Sequence, residues 1–416
     1  MELLLLQLVA LLRPLASIDW AAAIFEIVGV GLFGLLVAAL LADSAVRKSL
    51  IFSAVDAAIL SFSVWCLAIY VIYFHAARIG EVAKLVIPLL SYIVVKNVVR
   101  DRSEYETLLR WMLVGFSIPI VISTVLIATG HGLDSILYWT KEPRWRGAYE
   151  GSHTLGHSMT LFLIILVLYI EFPKFSGLID VQKRSIPEKL VLGVLAGAAL
   201  YCLYMSQVRT AIVGLIIFLG MYFFFTKRKV FVIGALGLVI LAVSTLPYWF
   251  STLLPEYAMR EEGIKVTTME LGSGRPTMWL NDLKVFANAP IDQELAGVGI
   301  GNRGEHRGPL KRVDYVIYGH SDWLELLTQT GIMGVLLFSW IQISLLRKIM
   351  RVKEPEKYMF LAIFSSVNFM MLISNSYAWR IQVGQIYYMV LAYIEIQQLH
   401  FAETSEAVSL SEKQSL

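Results

Sequence analysis

The stretch HSDWLELLTQTGIMGVLLFSWIQISLLRK, residues 320–348, has a polar head, an apolar body and a basic tail. A helix needs about 20 mostly apolar residues to cross the hydrocarbon of a bilayer, and this run supplies them from Ser321 to about Leu346. Ser321 is a candidate N-cap, and Asp322 and Glu325 fall in the first turn, where carboxylates suit the helix dipole. Arg347 and Lys348 mark the end held in the cytoplasm.

The rest of the chain repeats this pattern. Of its 416 residues 57% are hydrophobic and only 16% charged, against roughly 25% charged in soluble domains, and the mean hydropathy is +0.67. Roughly eleven stretches have the length and apolarity of spans: 20–42, 49–70, 81–99, 108–129, 155–172, 189–206, 209–226, 229–250, 321–346, 358–378 and 383–396. Residues 3–18 are a weaker twelfth. The runs are continuously apolar rather than alternating, so they are helices, which satisfy their own backbone in lipid. The expected fold is an all-α polytopic membrane protein with about 11–12 transmembrane helices. Residues 1–250 form N-terminal spans with short loops, 251–320 one large, partly helical outer loop, 321–396 the C-terminal spans and 397–416 a cytoplasmic tail. Thr404–Leu416 is polar and reads as disordered.

Orientation follows from the basic residues. Arg47 and Lys48; Arg100, Arg102 and Arg110; Lys174, Lys183, Arg184 and Lys189; Lys227, Arg228 and Lys229; and the group from Arg347 to Lys357 fall in alternate loops. The positive-inside rule puts these in the cytoplasm, and 130–154, the tight link near 207 and 251–320 outside. A net charge of +3 is too small to point to nucleic acid. Cys66 and Cys202 sit in apolar runs and offer no disulfide framework. Leu3–Leu12 lacks the basic lead and small-residue cleavage site of a signal peptide.

Structureless loops as long as 251–320 are uncommon, and long ones are often functional. Within it, SGRPTMWLNDLKVFANAP reads as a helix that starts near Ser273, takes Pro276 in its first turn and stops before Pro290. The following GVGIGN, Gly297 to Asn302, reads as a flexible turn able to bring backbone N–H groups near a ligand.

His320, Arg209 and Arg275 are the candidate site residues. His320 falls at the outer boundary, where it either completes a cap or does chemistry. Arg209 opens an apolar helix directly after the tight link. Ionisable groups at that depth face a cavity or partner, unless the side chain snorkels to the headgroups. Arg275 precedes the loop helix, as either a solvated charge or a ligand. Two guanidiniums and an imidazole on one face suit phosphate oxygens, and a lipid-linked diphosphate presents that group at this height.

Three blocks, SQVRTAIVGL at 206–215, SGRPTMW at 273–279, and GVGIGN followed by GHSDWLELLTQTGIMGV up to residue 335, resemble the bacterial O-antigen ligase and O-antigen polymerase superfamily of membrane glycosyltransferases. A fourth block, RGAYEGSHTLGH at 146–157, matches as well. The resemblance implies a multi-pass protein of the bacterial inner membrane with its site facing the periplasm. Its activity would be transfer of a glycan from undecaprenyl diphosphate to lipid A-core in lipopolysaccharide biosynthesis, with no cofactor or metal. Carried over by position, His320, Arg209 and Arg275 are catalytic, and both arginines bind the diphosphate. Arg146, His153, His157 and Asp322 are candidate glycan or acceptor contacts, with a structural role the alternative for His153 and His157. Membrane lipids are further partners. Many polymerase-like members carry His-Asn where this chain has His320-Ser321, so extension of a second carrier-linked glycan stays open beside ligation.

Direct displacement would invert the anomeric centre. His320 would accept the acceptor hydroxyl's proton or, alternatively, hydrogen-bond the diphosphate. Metal readings are weaker: His153 and His157 are four residues apart without an HExxH pattern, and Asp292 and Glu294 form the one D-x-E of the loop. Asp101, Glu104 and Glu106 read as a solvated cytoplasmic loop. A transporter or flippase of the lipid-linked glycan is the rival from another class. It calls for ionisable groups at mid-membrane and internal repeats, where the sequence offers mainly Asp56, read near a span centre.

Overall fold

The structure is a computed structural model that describes residues 1–47, 51–75, 78–136, 143–175, 185–226, 275–302 and 321–397. The expected span 229–250, the helix start at Ser273, His320 and the tail from Thr404 lie outside the described residues. Those described form thirteen helices and one hairpin: α1 (Glu2–Leu15), α2 (Ala22–Arg47), α3 (Ala54–Ile72), α4 (Ile79–Val98), α5 (Arg102–Ala128), β1 (Leu133–Ile136), β2 (Pro143–Trp145), α6 (Ser152–Phe175), α7 (Ile186–Met205), α8 (Arg209–Phe225), α9 (Arg275–Ala287), α10 (Ile291–Ala296), α11 (Asp322–Met350), α12 (Glu356–Ile373) and α13 (Ile381–Leu391).

Seven helices, α2, α3, α5, α6, α7, α11 and α12, are long and apolar enough to cross a membrane. The protein is an all-α polytopic membrane protein, as its apolar runs predict. α8 is apolar but has 17 residues, and α4 matches a span in length while carrying Glu81, Lys84 and Lys96. α6 is almost wholly enclosed, whereas α2 and α7 turn most of their surface outward. α1 packs on α2 and α5, α3 on α11, α8 on α12, and α13 on α4.

Two readings of charged residues are corrected. Ser53 and Asp56 form a capping box in which each side chain accepts the other's backbone N–H, so α3 starts at Ala54. Asp56 therefore sits at a helix end and not near a span centre. Asp101 likewise caps α5, accepting from the Glu104 N–H at 2.8 Å, which starts that helix six residues before the expected span. Both follow from the N-cap rule: a short oxygen side chain satisfies N–H groups that the first turn leaves unpaired.

One end of the bundle gathers the parts that matter for function. The C-termini of α5, α7 and α12 meet the N-termini of α6, α8, α11 and α13 there. The antiparallel hairpin β1–β2, with Leu133 opposite Trp145 and Ile136 opposite Pro143, covers part of this end, and Ile18 pairs with Tyr149 beside it. α7 turns into α8 through Ser206–Val208, with Gln207 at φ 53°. Gly156 of α6 lies against this turn, where a Cβ would stand 2.8 Å from the Val208 Cβ and 3.0 Å from the Ser206 Oγ. Only hydrogen fits, so α6 and the turn are held in direct contact.

α11 is broken at Gly331, whose φ of 69° and ψ of −173° are not helical. The glycine-rich segment 297–302 docks at the break. The Val298 N–H donates to the Thr328 carbonyl at 2.9 Å, the Gly301 N–H to Gln329 Oε1 at 2.8 Å, and Trp65 Nε1 to the Thr330 carbonyl at 3.0 Å. These donors occupy acceptors near the break, two of them carbonyls. The segment expected to offer backbone N–H groups to a ligand gives at least two of them to α11 instead.

Candidate functional site

The turn at Ser206–Val208 delivers Arg209 as the first residue of α8. Arg275 opens α9 and donates through Nη1 to the carbonyl of Ile373, at the end of α12, at 2.6 Å. The two residues expected to act together are close enough for their charges to interact, and Arg144 of β2 interacts with both. Arg144 donates through Nε to the Ser206 carbonyl at 3.2 Å, so the hairpin is pinned to the same turn that presents Arg209.

A fourth arginine comes from the link between α12 and α13. Arg380 donates to the hydroxyl of Thr154 on α6 and through Nε to the Asn375 carbonyl at 3.4 Å. His157, fully buried one turn below His153, is within electrostatic reach of Arg380, Arg275 and Arg144. Its Nε2 lies 3.4 Å from the Ser374 Oγ, and its ring meets that of Tyr377 edge-on with centroids 6.1 Å apart. His153 stacks above it at 6.3 Å, and its Nε2 is 3.1 Å from Arg144 Nη2. A guanidinium has only donors, so that ring nitrogen accepts and the imidazole carries its proton on Nδ1.

The electrostatics follow from crowding like charges in a half-buried place. Burial pulls the Arg275 guanidinium below its ordinary range, and Arg209 and Arg144 add to the fall. Burial does the same to Arg144, where Arg209 pushes further down and Asp134 resists. Arg380 is lowered by burial and supported by Glu150 and Asp322. Guanidiniums stay charged at any physiological pH, so the repulsion persists as a standing field that an anion would relieve.

The other expected contacts are placed differently. Arg146 points away to a half-exposed ion pair with Asp19 at 2.8 Å; it is Arg144, two residues earlier, that reaches the cluster. Asp322 is fully buried, and its Oδ2 accepts from the N–H groups of Ser376, Tyr377 and Ala378. That oxygen is committed to protein and leaves little to offer a glycan. Asp292 and Glu294 lie in the first turn of α10. Among the described residues no group of three or more His, Cys, Asp or Glu is placed to hold a metal ion.

Reading the sequence alone misses Arg144 and Arg380. Arg380 had a signal: it lies between spans 358–378 and 383–396, on the side where the positive-inside rule expects few cations. Arg144 shares that signal in the outer segment 130–154, but only the folded hairpin separates it from Arg146.

No curated protein matches the chain. A family model described as O-antigen ligase matches residues 194–339, a segment that includes Arg209, Arg275 and His320 but not Arg144, His153, His157 or Arg380. The match makes this segment similar to the O-antigen ligase family and supports the resemblance of the sequence blocks within it to the O-antigen ligase and O-antigen polymerase superfamily.

Proposed function

We propose that this protein is a glycosyltransferase of the bacterial inner membrane that moves a glycan from undecaprenyl diphosphate to lipid A-core at the periplasmic face. The observation that carries the reading is the gathering of four arginines from four separate elements: Arg144, Arg275 and Arg380 within electrostatic reach of His157, and Arg209 within reach of Arg144 and Arg275. A diphosphate leaving group needs stabilisation of the charge that grows as it departs, and preorganised guanidiniums in a partly dehydrated site supply it. The acceptor oxygen forms its bond to the anomeric carbon as the bond to the diphosphate breaks. The diphosphate leaves with the electron pair, the acceptor's proton passes to a base, and the centre inverts. His320 is our assignment for that base, following Arg275 and preceding Ser321 in the matched segment. No metal is needed in this scheme.

The test is a transfer assay in proteoliposomes with undecaprenyl diphosphate-linked glycan and lipid A-core, run with EDTA. Glycan on lipid A-core, lost in Arg209→Ala, Arg275→Ala and His320→Ala, is the expected result. Lengthening of glycan on its own carrier would make the protein a polymerase. Movement of the lipid between leaflets with no new glycosidic bond would overturn the enzyme reading.

A further inference from the structure

The link from Ile373 to Arg380 touches the arginine cluster at several points. Its Ile373 carbonyl accepts from Arg275, Ser374 meets His157, Tyr377 flanks the same imidazole, and Arg380 reaches Thr154. Yet it is an irregular segment between two helices, and such segments need something to fix their backbone. The N–H groups of Ser376, Tyr377 and Ala378 converge on one point, which is the geometry of a backbone anion nest. The nest is filled from within. Asp322 Oδ2 takes all three, at 3.0, 3.0 and 3.3 Å, together with the Ser376 hydroxyl at 3.3 Å. The Asp322 N–H returns a bond to the Ser374 carbonyl at 3.3 Å, and the carboxylate supports the charge of Arg380.

We propose that Asp322 is a positioning residue, whose carboxylate folds the 374–380 link into the wall that orients Arg275, His157 and Arg380 toward a diphosphate. The inference rests on the diphosphate reading above and deepens it. It moves Asp322 from substrate contact to scaffold. A carboxylate suits the role because four donors converge on a single oxygen, which a neutral amide satisfies less well. The side chain is also the first residue of α11, so the same group joins the N-terminus of one helix to the link before α13.

The experiment compares wild type, Asp322→Asn and Ser376→Ala in detergent by hydrogen exchange of the peptide covering 374–380 and by binding of inorganic pyrophosphate. For Asp322→Asn the link should exchange faster while the helices keep their protection, and pyrophosphate affinity should fall by about tenfold or more. Ser376→Ala, which removes one donor of four, should weaken binding by only about two- to threefold. A link that stays protected in Asp322→Asn would overturn the proposal, and so would faster exchange with pyrophosphate affinity unchanged. Loss of protection throughout the bundle of Asp322→Asn would make the role merely structural and also overturn it, with Ser376→Ala then showing no loss of affinity outside its own effect on folding. Wild type that protects the link yet does not bind pyrophosphate would overturn the diphosphate reading itself.

Discussion

Arg144 and Arg146 stand two positions apart in one segment and meet different fates. Arg144 turns inward to His153 and Ser206, and Arg146 pairs with Asp19 at the surface. An exposed pair of this kind is worth roughly 0–1 kcal/mol, so Arg146→Ala should leave transfer and stability nearly unchanged. Arg144→Ala should lower kcat/KM by on the order of 10² or more, comparable to loss of one charge-stabilising donor. Arg144→Lys should recover only part of that, since an ammonium cannot hold two partners in a planar fork. Steady-state kinetics of the three variants checks this, and equal losses at 144 and 146 would refute it. At this scale the sequence is informative where location constrains a residue. Arg209 must lie at a helix start beside a tight turn, which is legible from local rules, whereas Arg275, read as preceding the loop helix, is its first residue. Arg380, Arg144 and the role of Asp322 depend on contacts between segments 226, 62 and 54 residues apart in the chain.

Helix boundaries were readable to within three residues where an apolar run began and ended cleanly, as in α7 and α8. The break in α11 was not, because Gly331 inside an apolar helix costs little locally and reveals itself only against its partner. A Cβ there would stand 2.2 Å from the Leu295 carbonyl oxygen, and φ is positive. Gly331→Ala should therefore destabilise the protein by roughly 2–4 kcal/mol. Trp65→Phe, which removes the hydrogen bond to Thr330, should cost about 1–3 kcal/mol if the carbonyl is left unsatisfied. Thermal unfolding in detergent reads both, and an alanine variant as stable as wild type would mean that α11 straightens without loss.

Over the whole molecule, the far end of the bundle is closed by charge. Lys96 pairs with Asp56 and, at 2.8 Å, with Glu395, which Lys348 also approaches at 3.3 Å. Asp56, Lys96 and Glu395 are buried and come from α3, α4 and the segment after α13. Lys96→Met would leave two carboxylates with one partner fewer, at a cost of about 3–5 kcal/mol. Replacing all three together, by Asp56→Leu, Lys96→Met and Glu395→Leu, should restore most of that stability, because an apolar set avoids the desolvation of the ions. Unfolding midpoints of the single and triple variants decide it. The helical, membrane-spanning architecture is legible from composition alone, while this three-way pairing depends on packing between helices distant in sequence.

The enclosure of α6 has a consequence for how the protein meets different membranes. Hydrophobic mismatch is absorbed by whichever surfaces touch acyl chains, and among the described spans α2 and α7 turn the largest share outward, with α3, α5 and α11 also partly exposed. His153, Thr154 and His157 ride instead on a post insulated by its neighbours. A thicker or thinner bilayer would tilt the outer helices first and would reach that post through its neighbours α5, α7 and α8, most tightly where Gly156 abuts the 206–208 turn.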